Sequence, residues 1–403
     1  MLILGLFGCG VMGRRHILGL KKLRDAGRLR FELAGVCDLI AGPGQQAADL
    51  AADLLGRRPQ VFTSLDQMRR ALGQLDAIAI TTAPDSHVML GVEALESGAH
   101  VLVEKPIALT VRQGLRLVQA AERADRKLAV AENYRRDPIN RLARALLDAG
   151  AVGRPFLAIQ SSSGSGEHVI ITPWRHLRQK CGIVVDMGVH YTDLLEYYLG
   201  PIEQVIGMSA VVDHERRDQS GAWHSADAED LSVGVARFRS GALANWVLSL
   251  AGRGENHFSR MIYGTGGALA IPPDRSGQAL RLTQRRDGVD APVPEAELLA
   301  QVPDFALDAT TAALFGGERL AMYGMEWADI DANLLAIEYN DFAAAIVSDR
   351  QPEVAGADGL RALAVVYGFL ESERLGRAVG VDELLGGARM PYQEELEAVE
   401  SQR

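Results

Sequence analysis

From residue 1 to about 135, short apolar runs alternate with longer stretches in which apolar residues return every three or four positions. Runs of four to eight apolar residues fit strands, and the three- to four-residue recurrence fits amphipathic helices. The alternation therefore predicts repeated strand–helix units and a parallel sheet. Strands are predicted at 2–7 (LILGLF), 31–38 (FELAGVCD), 59–63 (PQVFT), 76–82 (DAIAITT), 100–104 (HVLVE) and 127–132 (KLAVAE). Between them, 86–98 (SHVMLGVEALESG) reads as a helix, with Val88, Val92 and Leu95 at helical spacing and Gly98 as the stop. This half is expected to be a doubly wound α/β domain spanning 1–135.

Past a helix predicted within 133–155 and closed by a Gly-rich turn, the texture changes. PFLAIQSS, QVIGMSAVV, DLSVGVARF and ALANWVLSL follow one another with short polar turns between them, the mark of a large, mostly antiparallel sheet. Helices at 337–349 and 358–376 are expected to close this second, α+β domain, which takes in 136–403. The acidic, Ala-rich stretch from about 290 to 335 follows neither period; a flap or an oligomer contact is expected there.

Composition narrows the partners. A chain of 403 residues exceeds one ordinary core, which agrees with two domains. The net charge of −10 removes any broad attraction to nucleic acid or anionic membranes, and no apolar run is long enough for a membrane span. The opening MLILGLFGCGVMGRRH is broken by glycines and lacks a positive n-region, so no signal peptide is expected. Cys9, Cys37 and Cys181 stand too far apart for a zinc pair or a disulfide framework, so a reducing cytoplasm is expected.

Three clusters carry chemistry. Gly8, Gly10 and Gly13 have G-x-G-x-x-G spacing directly between a predicted strand and a predicted helix. There, glycines permit a tight turn and close approach of a pyrophosphate to a helix N-terminus. Asp38 ends the second strand, where a carboxylate meets an adenosine ribose, and Leu39, Ile40 and Ala41 bring no cation for a 2′-phosphate. NAD is thus expected over NADP; an uncommitted Gly-rich turn is the plainer alternative.

The second cluster is Glu104-Lys105-Pro106, at the carboxyl end of the fifth strand, where doubly wound sheets bind ligands. Lys105 is expected to face the nicotinamide, with Glu104 pairing or orienting it and a cis Lys105–Pro106 bond holding the bend. A surface Lys before a helix-starting Pro is the bland alternative. The third is CGIVVDMGVHYTDLLEYYLG (181–200), in which Asp186 and His190 fall on one helix face. Such a pair also fits metal ligation or a satisfied core histidine. A third ligand at suitable spacing is missing, His168 and His176 lie toward an Arg-rich loop, and no metal is expected.

Taken in order, these clusters resemble the glucose-fructose oxidoreductase, inositol dehydrogenase and MocA (Gfo/Idh/MocA) family of NAD(P)-dependent oxidoreductases. The resemblance rests on Gly8 to His16, TTAPDSH (81–87), EKP (104–106) and D-x-G-x-H-x-x-D from Asp186 to Asp193, and extends to AEDLSVGVARFRSGAL and the last helix. It implies a sugar, cyclitol or sugar-derivative dehydrogenase that oxidises a secondary alcohol, and a homodimer or homotetramer built through the second-domain sheet. It also implies Lys105, His190 and Asp186 as the catalytic set. The cofactor side would comprise Gly8, Gly10, Val11, Met12, Gly13, Asp38, Thr82, Pro84, His87, Glu104, Lys105, Asn133, Trp174 and Arg175. The substrate side would comprise Lys105, Arg135, Lys180, Asp186, which would hold substrate hydroxyls, and His190.

One departure is local: where the family usually carries Gly-Gly-Gly ahead of the Asp, this chain has Lys180, Cys181 and Gly182. An imidazole with an ordinary pKa of about 6.5 suits a base at neutral pH, and a nearby ammonium suits alkoxide stabilisation. The reverse order, with Lys105 as base, is the close alternative. Arg175, Arg178 and Lys180 give the loop before Asp186 a basic density that an anionic sugar would meet. Two further functions stay open: a glycosidase or lyase working through transient oxidation by bound NAD, and a cofactor-binding regulator without turnover.

Overall fold

The computed structural model describes residues 1–400. In the first part of the chain β1 (Leu2–Phe7), α1 (Val11–Asp25), β2 (Phe31–Cys37), α2 (Ala41–Leu55), β3 (Gln60–Phe62), α3 (Leu65–Leu72), β4 (Ala77–Ile80), α4 (Pro84–Glu96), β5 (His100–Glu104), α5 (Val111–Ala124) and β6 (Leu128–Ala131) alternate strictly after one another. The six strands form one sheet in the order β3-β2-β1-β4-β5-β6, every pair parallel. Every residue of β4 and β6 is buried, as a sheet covered by helices on both faces requires. The order reverses beside β1, so the carboxyl ends of β1 and β4 open a crevice there.

Two helix starts show why local chemistry moved the boundaries expected from periodicity. Pro84 takes the first turn of α4, two residues earlier than the apolar pattern indicates, because its missing N–H costs nothing there. The helix expected within 133–155 is α6 (Pro138–Asp148), with Pro138 in its first turn and Asp137 as its cap, accepting from the Ile139 N–H at 2.9 Å.

The second part contains β7 (Pro155–Ser165), α7 (Ile183–Leu199), β8 (Ile202–Ala210), the hairpin β9 (Glu215–Arg217) and β10 (Trp223–Ser225), then β11 (Leu231–Phe238), β12 (Leu243–Gly252), β13 (His257–Gly264), β14 (Gly267–Ile271), β15 (Arg281–Arg286) and β16 (Val289–Pro292). It closes with α8 (Ala309–Phe315), α9 (Trp327–Val347), α10 (Gly356–Leu375), β17 (Val379–Gly380), α11 (Val381–Leu385) and α12 (Pro391–Glu400). Nine strands make one sheet, β16-β15-β14-β13-β7-β12-β11-β8-β17, antiparallel except at β7 and β12. The helix α10 lies on one face so closely that a Cβ at Gly234 would stand 2.7 Å from the Phe369 ring. On the strands β8 and β11, Ile206, Met208, Val233 and Val235 are exposed in cross-strand register.

The helix α9 does not stay with this sheet. It returns to pack on α1, where a Cβ at Gly19 would stand 2.8 Å from that of Leu335. Tyr339, Phe342 and Ala343 join Leu4, Ile17 and Phe31 in one buried cluster. Part of the 136–403 stretch therefore packs into the first domain. Among the described residues, no helix is long and apolar enough to cross a membrane.

Candidate active site

The glycine turn forms as its spacing demands. Gly8 has φ +89, and a Cβ there would meet the Thr81 carbonyl at 2.8 Å; one at Gly13 would stand 2.0 Å from the Gly8 oxygen. Gly10, by contrast, faces open space, so its backbone is free for a phosphate to approach. A cavity of about 400 Å³ opens from this turn, lined by Gly8, Gly10, Val11, Met12, Asp38, Thr82, Pro84, Glu104, Lys105, Ile171, Thr172, Trp174 and Arg175. Asp38 accepts from the Cys9 N–H at 2.8 Å and from the Ile40 N–H at 2.9 Å, one to each oxygen, which leaves each oxygen with further acceptor capacity. Two polar atoms at the cavity wall are buried without partners, Thr172 Oγ1 and Arg175 Nε. A bare glycine cradle, a ribose-ready carboxylate and unspent hydrogen-bonding groups fit a dinucleotide.

At the other end, Lys105 leaves the carboxyl end of β5 through a cis bond to Pro106. Its ammonium donates to the Asp186 carbonyl and to Asp186 Oδ1, both at 2.9 Å, across the gap between the domains. Arg175 Nη1 takes the other Asp186 oxygen. Burial alone would raise the Asp186 carboxyl, but Lys105 and Arg175 together hold it well below the usual range. One turn further along α7, His190 gives its Nδ1 to the Glu132 carboxylate at 2.7 and 2.8 Å. The Tyr134 ring stacks on it, centroids 4.1 Å apart and planes within 5°. Burial first, then Lys105, lower the His190 pKa against the opposing pull of Glu132, so the imidazole is neutral at pH 7.

Several residues expected in the site take other places. Glu104 does not pair with the Lys105 ammonium; its carboxylate accepts from the Lys105 backbone N–H and meets His16 Nε2, both at 3.0 Å. With His16 and the nearby cations outweighing burial, its pKa falls to about 2. Asp186 gives one oxygen to Lys105 and the other to Arg175, which orients the Lys105 ammonium. His87 is fully buried, its nitrogens 2.9 and 3.1 Å from the Pro106 and Thr82 carbonyls; it ties two cleft loops together from behind. The Asn133 side-chain Oδ1 accepts from Arg275 at 2.7 Å, and Arg135 forms a buried bidentate pair with Asp193.

The basic loop ahead of Asp186 is neutralised residue by residue. Arg175 is on Asp186, Arg178 on Glu395 and Lys180 on Asp85. Each guanidinium or ammonium thus faces a carboxylate brought by tertiary packing. The residues that sequence reasoning missed are Glu132, Tyr134, Thr172 and His16. Glu132 had a readable signal: it ends the sixth predicted strand as Glu104 ends the fifth.

This architecture, a parallel dinucleotide-binding half joined to a large open sheet with the chemistry between them, is that of an oxidoreductase. Residues 2–132 match the model described as the oxidoreductase family with an NAD-binding Rossmann fold, and residues 140–270 match the GFO/IDH/MocA C-terminal domain. The chain belongs to the Gfo/Idh/MocA family. It is 25% identical to the D-apiose dehydrogenase of Paraburkholderia graminis over 382 residues, covering 94% of this chain and 89% of that protein. It is also 25% identical to the levoglucosan dehydrogenase of Pseudarthrobacter phenanthrenivorans over 291 residues, 67% of this chain and 73% of the relative. Among solved structures, a levoglucosan dehydrogenase in complex with NADH and levoglucosan superposes with a TM-score of 0.74 at 22% identity, covering 94% of this chain and 99% of that one.

Proposed function

We propose that the protein is an NAD-dependent dehydrogenase acting on a secondary alcohol of a sugar, cyclitol or sugar derivative, with His190 as the proton acceptor and Lys105 as the electrostatic partner. The observation that carries this is the bridge from Lys105 at the end of β5 to Asp186 on α7, one turn before an imidazole locked by Glu132. The relatives' names, D-apiose and levoglucosan dehydrogenases among them, supply the substrate class.

The roles follow from hydrogen-bond capacity. An ammonium has three N–H donors; Asp186 takes two from Lys105, and the third is left for a substrate oxygen as it gains negative charge. Glu132 fixes the proton of His190 on Nδ1, which leaves the Nε2 lone pair to accept the hydroxyl proton. A Lys105 held by a carboxylate is a poor candidate for the neutral amine, which favours His190 over Lys105 as base. A nicotinamide held in the cavity beside Lys105 would supply the hydride acceptor. Leu39 and Ile40 are exposed beyond Asp38 with no cation among them, which favours NAD over NADP.

The protein is also read as a homodimer or homotetramer through the outer face of the large sheet, supported by exposed Ile206, Met208, Val233 and Val235. Light scattering of a Met208→Lys, Val233→Lys double variant checks this; a mass equal to that of the wild type would remove it. For the activity, a panel of inositols, free sugars and glycosides is followed at 340 nm with NAD and NADP, with product mass measured in parallel. Turnover with NAD that Lys105→Ala and His190→Ala abolish, while NAD binding persists, is expected. Undiminished rates in both variants would sink the assignment, and glycoside cleavage without NADH would select the transient-oxidation reading.

A further inference from the structure

The stretch between 290 and 335 that resists periodic reading ends beside the cleft. Tyr323 anchors it, its hydroxyl donating to Asp137 at 2.7 Å and its N–H to the Gly277 carbonyl at 2.9 Å. Four residues on, Trp327 opens α9 with 54% of its surface exposed. Its position is fixed from two directions. On the catalytic side, Tyr134 stacks on His190 at 4.1 Å, the Arg275 guanidinium lies over Tyr134 at 5.0 Å, and the same guanidinium lies 5.7 Å from the Trp327 ring. On the cofactor side, Arg15 lies over Trp327 at 5.2 Å, and its Nη1 is 3.1 Å from the sulfur of Met12, a cleft residue.

Asp331, one helical turn beyond Trp327, accepts from Arg15 Nε at 2.7 Å and from Arg275 Nη1 at 3.0 Å, so a single carboxylate locks both guanidiniums against the indole. Their donors are not exhausted. Arg275 Nε is buried without a partner, and Arg15 Nη1 meets only a thioether, a weak acceptor. An exposed indole with unspent guanidinium N–H groups beside it matches a sugar ring, whose C–H face stacks on an aromatic and whose hydroxyl oxygens accept from cations. Trp327 is the far end of the run His190, Tyr134, Arg275, Trp327, whose successive spacings are 4.1, 5.0 and 5.7 Å.

We propose that Trp327, Arg15 and Arg275 form a second sugar subsite that takes the ring joined to the one being oxidised, so that the substrate is a glycoside and not a free monosaccharide. This rests on the sugar dehydrogenase reading above. The test compares kcat/KM with NAD for monosaccharides, their methyl glycosides, and their p-nitrophenyl glycosides and disaccharides. NADH formation is read, or aglycone release where no NADH accumulates. Two-ring substrates are expected to exceed the matching monosaccharide at least tenfold. Trp327→Ala should lower the two-ring kcat/KM at least tenfold more than the monosaccharide value, chiefly through KM, and Trp327→Phe should restore most of the difference. Equal losses on both substrate types, or equal efficiencies in the wild type, overturn the subsite while leaving the dehydrogenase reading intact. Absence of any turnover across the panel would fail that reading instead.

Discussion

β5 and β6 end side by side at the same edge of the sheet, β5 on a glutamate and β6 one residue before a glutamate, and each glutamate holds a histidine. Glu104 meets His16 Nε2 at 3.0 Å; Glu132 meets His190 Nδ1 at 2.7 Å. Both pairs are buried and of similar length. What separates them is the second nitrogen. His16 Nδ1 is 2.9 Å from the Tyr339 hydroxyl, so both ring nitrogens are spent inside the interface between α1 and α9. No described residue hydrogen-bonds to His190 Nε2, and Tyr134 lies flat on the ring instead of edge-on with a hydroxyl. The same Glu–His unit thus has both nitrogens satisfied at His16 and one left open at His190, as the proposed base requires.

Replacing the two histidines in turn tests this most severely. His190→Asn removes the proposed proton acceptor and should cost about 10²–10⁴ in kcat, with NAD affinity and thermal stability close to wild type. His16→Asn should do the reverse: retained turnover per folded molecule, and a loss of about 3 kcal/mol in denaturant unfolding from leaving Glu104 unpaired. If His16→Asn abolished turnover in a folded protein, or His190→Asn retained it, the second-nitrogen criterion would fail.

The glutamates give the next contrast. Glu132 opposes the burial and the Lys105 charge that lower His190, so Glu132→Gln should move the acid limb of the kcat profile to lower pH than in the wild type. Because the tautomer is no longer enforced, the plateau should also fall, by about 10². In the wild type, that limb should already lie below the ordinary histidine value of about 6.5, since the folded imidazole resists protonation. Glu104→Gln should leave the limb in place and act on stability alone. Measuring kcat from pH 4.5 to 9 for all three proteins decides it, and an acid limb shifted by Glu104→Gln would break the comparison.

A third buried glutamate, Glu338 on α9, has no histidine at all. Both of its oxygens are buried without partners, and burial, reinforced by Glu104, Glu132 and Asp331 against the pull of Arg136, pushes its pKa well above the usual value. A raised carboxyl binds its proton more tightly in the folded state, so stability is lost as pH climbs from the unfolded pKa toward the folded one. Glu338→Met, similar in shape and free of orphaned oxygens, should raise stability by about 1–3 kcal/mol at pH 8 and much less at pH 4.5, by urea unfolding at each pH. A pH-independent change would mean that the carboxyl is ionised and paired in solution.

How much of this was legible in the sequence follows a physical division. Strand positions and the glycine turn could be read because the period and the backbone constraint are local. The start of α9 could not: its residues 330–339 are buried without a break, because α1 covers one side and α8 another, so no polar face marks the period. Lys105, Asp186 and His190 were legible as candidates through their motifs, whereas their partners were not. Lys105 meets a carboxylate 81 residues away and His190 one 58 residues away, choices made by how two domains close on each other. Glu104, adjacent to Lys105 in the sequence, meets its backbone N–H and not its ammonium, and packing brings His16 to its other oxygen.

Lys180 offers the smallest and last contrast, with Lys105. Lys105 is nearly buried, with 10% of its side chain exposed, whereas Lys180 keeps 31% exposed and spans from the loop before α7 to Asp85 in the first turn of α4. A half-solvated pair of this kind contributes about 0–1 kcal/mol. Its effect on binding is indirect, through the closure of the cleft. Lys180→Ala should therefore change KM for the sugar less than about threefold, which corresponds to under about 0.7 kcal/mol, and should leave kcat alone. A tenfold rise in KM confined to acidic sugars, and suppressed by salt, would return Lys180 to the substrate and show that the Asp85 pair opens when an anion arrives.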